Sequence, residues 1–383
     1  MTGRLMETLF LGMSLQSPLI AASGPPTKDF ASIRRLYEAG IGAAITKTIL
    51  VEPSVNPRPC LWRGKGHFFN TERCSTLPLS RWLREELPRL AELPMPVIAS
   101  IGMTPDEVAE LALPVVDAGA DMLELSIFTP ADDPGPMIEA LRAVKARVSV
   151  PVTVKLSCNV HDLVAFGRAL RDCGADGLSS IDALKAGLDV DLITGRPVFL
   201  EQGYGRISGE AIRTLALYHV AMLSHYVGLP VIGTGGVMSG EDALKMIYCG
   251  AQSVGLCTAL ILDGPDGVRR MIREMTDLLK GLGATSLDDL RGRSLPHVAF
   301  PVDEASRHEY EHIVWQGPLR TSFIVQDTCV QCGRCHRVCP YAAIEAKEGR
   351  FFIHGDLCEG CGLCLSICPV RAIVWEEGVG SRP

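Results

Sequence analysis

Pro96-Val97-Ile98-Ala99-Ser100 opens a short apolar run, Thr104-Pro105-Asp106-Glu107 follows, and Gly119-Ala120-Asp121-Met122-Leu123-Glu124-Leu125 completes the unit. Each part has a physical reading. Proline is tolerated as the first residue of a strand, where its missing N–H does no harm. Thr104 to Glu107 has the form of a capping box with proline at the first helical position. Glycine just past a last helical turn adopts the left-handed conformation that ends a helix. The stretch reads strand, helix, strand.

The same alternation extends in both directions. Apolar runs begin after Pro18, Pro96, Pro151 and Pro230, and between them after Gly40, Gly119, Gly174 and Gly250. Phe30, Ile33 and Leu36 are spaced for one helical face before Gly40, and Ser239-Gly-Glu-Asp242 opens a helix ending near Gly250. Eight runs without period-two alternation imply a parallel sheet buried on both faces. The fold class expected is α/β, a (β/α)8 TIM barrel from Pro18 to about Leu279, followed by a small α+β domain. An open doubly wound sheet starts from the same unit and is the competitor. Residues 9–15 are expected to form a hairpin closing the barrel's bottom. The domains expected are 1–290 (barrel), 291–320 (a linker packing back on it) and 321–383.

That last region carries the second strong pattern. Cys329, Cys332, Cys335 and Cys339 are followed by Pro340, and Cys358, Cys361, Cys364 and Cys368 by Pro369. This is the dicluster run of bacterial-type ferredoxins, in which the fourth cysteine of each run ligates the other run's [4Fe–4S] cluster. One cubane is assigned Cys329, Cys332, Cys335 and Cys368, the other Cys339, Cys358, Cys361 and Cys364. Zinc knuckles lack the third cysteine and the Cys-Pro, and disulfides need an oxidising compartment.

Met1 to Ser17 lacks the basic-then-apolar layout of a signal peptide. No apolar run approaches membrane-spanning length. Six further cysteines are scattered, as free thiols are in a reducing compartment, so a cytoplasmic location without a membrane is expected. A net charge of −7 with no basic block argues against nucleic acid.

Barrel chemistry belongs at the carboxyl ends of the strands. Those ends read Ala22-Ser23-Gly24, Thr46-Lys47-Thr48, Ser100, Ser126, Lys155, Asp182, Gly233 to Gly236 and Cys257-Thr258. The glycine-rich turn after strand seven, with Cys257-Thr258 after strand eight, matches the usual barrel phosphate site. Lys47 and Lys155 are flanked by buried residues, where an ammonium needs an anion, unless both snorkel to the rim. A phosphate-bearing flavin, FMN, satisfies both features and links hydride chemistry to single-electron carriers.

Residues along nearly the whole chain resemble the dihydroorotate dehydrogenase family, an FMN barrel. They include Pro18-Leu-Ile-Ala-Ala-Ser23-Gly24, Thr46-Lys47-Thr48, Gly119-Ala-Asp-Met-Leu-Glu124, Tyr204-Gly205-Arg-Ile-Ser208-Gly209 and Thr234-Gly235-Gly236. The cluster runs, with Asn56-Pro57-Arg58 and Phe69-Asn70-Thr-Glu72, are more similar to the dihydropyrimidine dehydrogenase branch. The resemblance implies FMN held by Ala22, Ser23, Gly24, Lys47, Thr48 and Ser100, together with Lys155, Ser208, Gly209, Gly235, Gly236, Cys257 and Thr258. It implies substrate contacts from Asn70, Glu72, Ser126 and Asp182.

The family's fourth-strand motif, Glu-Leu-Asn-Leu-Ser-Cys-Pro, reads here Glu124-Leu-Ser126-Ile-Phe-Thr129-Pro130. Thr129 replaces the acid–base cysteine, Ser126 an asparagine, and Asp182-Ala183 an Asn-Thr pair. Thr129, as proton relay, and Lys155 are the candidate catalytic residues, with Cys158 and His161 in reserve. Asp182 either faces a cationic substrate group or is paired within the site, for example with Lys185 or Arg206.

The function expected is FMN- and iron–sulfur-dependent oxidation or reduction of a C–C or C–N bond in a small, polar, heterocyclic substrate. Hydride would pass at flavin N5 and electrons through the two clusters. The alternative is a flavin and iron–sulfur electron-transfer subunit that turns over no substrate. No Gly-x-Gly-x-x-Gly dinucleotide fingerprint is present, so ferredoxin or a separate NAD(P)H-oxidising flavoprotein subunit is the expected electron partner. The resemblance implies a homodimer.

Overall fold

The computed structural model describes residues 3–127, 133–160, 162–198, 203–298, 300 and 320–375. Two compact units divide the chain, Met1–Phe300 and Pro301–Pro383.

The first unit is a closed eight-stranded parallel barrel. Its strands are β1 (Leu19–Ala21), β2 (Ala43–Ile45), β3 (Val97–Ile101), β4 (Met122–Leu125), β5 (Val152–Leu156), β6 (Gly177–Ser180), β7 (Val231–Thr234) and β8 (Ser253–Leu256). Each pairs with its successor, and β8 closes on β1 through Val254 opposite Leu19. Closure disposes of the open-sheet alternative. Helices between and after the strands include α1 (Phe30–Glu38), α2 (Pro105–Asp117), α3 (Leu163–Asp172), α4 (Arg213–Tyr226), α5 (Gly240–Tyr248) and α6 (Thr258–Gly281).

The alternating strand starts have a structural reason. The carbonyls of Pro18, Pro96, Pro151 and Pro230 each accept a ladder hydrogen bond, from Val254, Ala44, Leu123 and Leu178. None of these prolines needs a donor of its own. Gly40, Gly119, Gly174 and Gly250 close their helices at φ between 96° and 115°. The aspartates of the two Gly-Ala-Asp triplets then turn back. Asp121 accepts from the Val97 N–H (2.8 Å) and Asp176 from the Val152 N–H (2.7 Å), each satisfying the first donor of the strand before.

Thr104 caps α2 by accepting from the Glu107 N–H. The reciprocal half of the expected capping box is not made. The Glu107 carboxylate accepts instead from Val51 and Met103 N–H groups, tying the loops after β2 and β3 together.

Residues on alternate faces of each strand serve two cores. Leu19, Ala44, Leu123 and Val154 face the helices. Ile20, Ala43, Ile45, Ile98, Met122 and Ile232 face the barrel axis and pack on Phe10 and Leu15 of the hairpin Thr8–Phe10/Met13–Leu15. The hairpin thus plugs the amino end of the barrel, as expected for residues 9–15. Burying those two side chains contributes about 1.5–3 kcal/mol each. Of the expected linker 291–320, Gly292 and Ser294 donate to the Ile247 and Tyr248 carbonyls, while residues 301–319 lie outside the described residues.

The second unit pairs β9 (Ser322–Ile324) with β12 (Ile373–Trp375), and β10 (Ile344–Lys347) with β11 (Arg350–Ile353), all antiparallel. Two short helices, α7 (Arg334–Val338) and α8 (Leu363–Ile367), begin inside the two cysteine runs. Gly333 and Gly362 precede them in the left-handed conformation, with φ of 67° and 76°.

Candidate active site and cluster sites

A cavity of about 660 Å³ opens at the carboxyl ends of the barrel strands. Its wall comes from the ends of β1, β2, β4, β5, β6, β7 and β8, so residues scattered through the sequence converge there. Ala22, Ser23, Gly24, Lys47, Thr48 and Lys155 line it. So do Ser208, Gly209, Gly235, Gly236, Cys257 and Thr258, and with them Asn70, Glu72, Ser126 and Asp182. Ser100 does not reach the cavity; it lies beneath, with its hydroxyl 3.0 Å from that of Thr48. Thr129 and His161 lie outside the described residues. Cys158 is buried away from the cavity, its thiol donating to the Ala183 carbonyl at 3.6 Å.

A feature absent from the sequence reading builds one side of the mouth. The chain after β2 and the chain after β6 meet in a four-stranded antiparallel sheet, ordered Leu184–Gly187, Gly205–Ser208, Phe68–Asn70, Leu61–Arg63. Arg206 stands opposite Asn70 in its register. The sheet sets Asn70, Arg206 and Ser208 on one ledge and adds Arg73, Cys74, Lys185 and Tyr204 to the lining. The one signal available was length, since the β2–β3 and β6–β7 connections far exceed the others.

Each buried ammonium meets a carboxylate of the protein. Lys47 Nζ lies 2.6 Å from Glu72 Oε2, and Lys155 Nζ lies 3.2 Å from Asp182 Oδ1. The partner of Asp182 is therefore inside the site, and it is Lys155 rather than Lys185 or Arg206. Burial alone would push the Asp182 carboxyl up, but Lys155 and then Arg206 outweigh it and hold it below the usual carboxylate range. Burial opposes the charge on Lys155 too, yet Asp182 keeps it firmly protonated, and Glu124 adds to this when ionised. Burial pushes the Cys257 thiol up, so it faces the cavity as a neutral thiol.

The back of the cavity is shaped for an anion. Gly235 and Gly236 adopt φ of 123° and 73°, and a Cβ on Gly236 would come within 2.6 Å of the Arg213 backbone. Thr258 starts α6, whose first segment ends at a break at Gly264 and whose first N–H groups have no intrahelical acceptor. Its hydroxyl donates to Ser208 Oγ at 3.0 Å. A Cβ on Gly24 would meet Cys257 Sγ at 2.6 Å, so a side chain there would displace the Cys257 thiol. A phosphate at the back and a planar ring over the lysines fit these groups.

In the second unit the cysteines line two hollows. Cys329, Cys332, Cys335 and Cys368 surround one, with Ile324, Phe351 and Ile373. Cys339, Cys358, Cys361 and Cys364 surround the other, with Ile344 and Ile353. Each set combines three cysteines of one run with one of the other. Backbone N–H groups of Gln331, Ala343 and Ala372 point at the sulfurs of Cys329, Cys339 and Cys368 at 3.2–3.4 Å, a donor set suited to thiolates carrying cluster charge.

A barrel mouth of this build in a chain with two four-cysteine hollows defines a flavin- and iron–sulfur-dependent oxidoreductase. Comparison with known proteins narrows the class. Residues 5–279 match the dihydroorotate dehydrogenase family and residues 322–375 match the 4Fe-4S dicluster domain. The chain belongs to the dihydroorotate dehydrogenase family, and its cofactors are FMN and two [4Fe–4S] clusters. It is 32% identical over 300 residues to the dihydroorotate dehydrogenase B (NAD(+)) catalytic subunit of Methanothermobacter thermautotrophicus, covering 75% of this chain and 98% of that one. It is 36% identical over 298 residues to the same subunit of Geobacillus kaustophilus, covering 74% and 93%. Among the described residues no helix is long and apolar enough to cross a membrane.

Proposed function

We propose that the protein reduces or oxidises a C–C or C–N bond of a small, polar, heterocyclic substrate held over FMN in the barrel mouth, and exchanges the electrons with a partner through its cluster domain. The observation that carries this reading is the joint lining of one cavity by an anion-shaped back wall and a polar ledge. Residues 1–290 form the flavin domain and 321–383 the cluster domain. Bound FMN supplies hydride transfer at its N5, and the clusters supply the one-electron steps.

The chain's own groups divide the work. Gly235, Gly236, Cys257, Thr258, Ser208 and Gly209 cradle the phosphate with backbone and hydroxyl donors. Ala22, Ser23, Gly24, Thr48 and Lys47 shape the floor, with Ser100 fixing Thr48 from below. Lys155, held in place by Asp182, would present a cation to a bound flavin ring. Asn70 and Ser126 orient the substrate. Glu72, engaged by Lys47, stiffens the ledge at the cavity wall. Thr129, in the frame after β4, passes the proton.

The relatives are matched nearly end to end, while about a quarter of this chain is left over, close to the size of the cluster unit. Those relatives are named as NAD(+) enzymes' catalytic subunits. An NAD(P)H-oxidising flavoprotein subunit, or a ferredoxin, is accordingly the partner expected here, with a homodimeric catalytic core in the cytoplasm.

A panel of pyrimidines and related heterocycles offered to dithionite-reduced protein tests the reading. Rapid flavin reoxidation by one of them is expected. Reoxidation by partner proteins alone would leave an electron-transfer subunit in its place. Thr129→Ala should slow the chemical step by about 10²–10⁴, and near-native turnover would remove Thr129 from the mechanism.

A further inference from the structure

Glu124 is the one acidic side chain on the axis-facing side of a barrel strand among the described residues. It shares that face of β4 with Met122, which packs in the axial core, and is fully buried. Neither carboxyl oxygen meets a hydrogen-bond partner among the described residues. Its register neighbours are Ser100 on β3 and Thr153 on β5. Both hydroxyls are engaged elsewhere: Ser100 with Thr48, and Thr153 donating to the Leu123 carbonyl. Ser179 on β6 stands near enough to favour the charged form without making a hydrogen bond.

The charged groups that bear on Glu124 are Lys155, two residues along β5 from Thr153 on the same face, and Asp182 beyond it. Lys155 therefore feels two carboxyl groups, Asp182 paired with it at the mouth and Glu124 on the neighbouring strand in the barrel core. A single ammonium needs a single counter-charge. With Asp182 held by Lys155 and also by Arg206, an ionised Glu124 would be the carboxylate left uncompensated, wholly buried in the barrel core.

We propose that Glu124 is the reserve counter-ion of Lys155: a neutral acid while Asp182 holds the ammonium at the mouth, and a carboxylate once a ligand or a substitution takes Asp182 away. The exchange is a simple ionisation. The Glu124 O–H bond breaks, its electron pair stays on the carboxylate, and the proton passes to bulk water through the mouth. It allows the mouth to engage a ligand through Asp182 without leaving Lys155 uncompensated. Burial pushes the Glu124 carboxyl up to about 7, with Lys155 and Ser179 pulling it down and Asp182 raising it, so the switch works near neutrality. The inference concerns groups of the protein alone and does not depend on the substrate reading above.

The test is infrared spectroscopy of the purified full-length protein, following the carbonyl stretch of buried protonated carboxyl groups from pH 5 to 9. Wild type should lose one such band near pH 7, and Glu124→Gln should lack it throughout. Asp182→Asn should move the loss downward by roughly 1–3 pH units, and Lys155→Met should move it upward. If Glu124→Gln does not fold, the opposite movements in the other two variants carry the test. A band unaffected by Glu124→Gln, or unmoved by Asp182→Asn, overturns the proposal.

Discussion

Lys155 Nζ and Asp182 Oδ1 stand 3.2 Å apart at the barrel mouth, joining the end of β5 to the segment just past β6. The two carboxyl groups around this ammonium are not equivalent, since Asp182 is 37% exposed and Glu124 wholly buried.

That inequality ranks two variants. Lys155→Met takes the nearest cation from Asp182, leaving it Arg206, and keeps Glu124 a neutral acid. Removing one partner of a buried pair costs about 3–5 kcal/mol, trimmed toward the lower end by the exposure of Asp182. Asp182→Asn leaves Glu124 to neutralise the ammonium and should cost less. Thermal midpoints and bound flavin per chain measure both. A variant Asp182→Asn as damaged as Lys155→Met would contradict the ranking.

Stability against pH should expose two buried groups acting in opposite senses. Folded Glu124 keeps its proton to about pH 7, against 4.5 for a free side chain. The native state binds the extra proton between these values, so this contribution falls as pH rises through the window. Burial lowers His219 on α4 from 6.5 to about 4. Here the unfolded chain binds the extra proton, so stability is lost as pH falls from 6.5 towards 4. Each shift is worth up to about 3 kcal/mol. The slopes oppose each other across their shared range. Relative to wild type, Glu124→Gln should make the thermal midpoint rise more steeply from pH 4.5 to 6.5, and His219→Phe should make it fall. Parallel profiles for all three proteins would refute both assignments.

Gly236→Ala should strip the phosphate cradle. The substitution meets a positive φ and also a contact of 2.6 Å with the Arg213 backbone. Gly12→Ala, at φ 83° with open space around it, isolates the conformational part, about 1–3 kcal/mol. Flavin content should drop at least about tenfold in the first and hold in the second, if 1.4 kcal/mol is tenfold in binding. Equal content in the two would show that close approach is unimportant there.

Iron counts can test the crossed ligand sets. Cys368→Ser should lower iron from about eight to about four atoms per chain. Adding Cys332→Ser, from the same hollow, should remove little more, whereas adding Cys361→Ser should remove nearly all. The reverse pattern would assign Cys368 to its own run.

Much of this protein is local, and local features are legible in a sequence. A proline beginning a strand, a glycine ending a helix and three cysteines around one cube each involve neighbours a few residues apart. The alternating strand starts and the cysteine runs therefore announce the barrel and the two clusters directly. The strand-end residues followed from the barrel, because the chain must deliver them to one face.

What tertiary structure alone decided is who meets whom across that face. Register between distant segments sets Arg206 opposite Asn70, and nothing near either residue encodes the pairing. The lysines looked in need of outside anions, yet Glu72 and Asp182 arrive from other connections to neutralise them. In the sequence Glu124 stands only as the first residue of the fourth-strand motif, with no role attached. Its unpaired burial exists because eight strands close into a cylinder and turn that face inward, away from water.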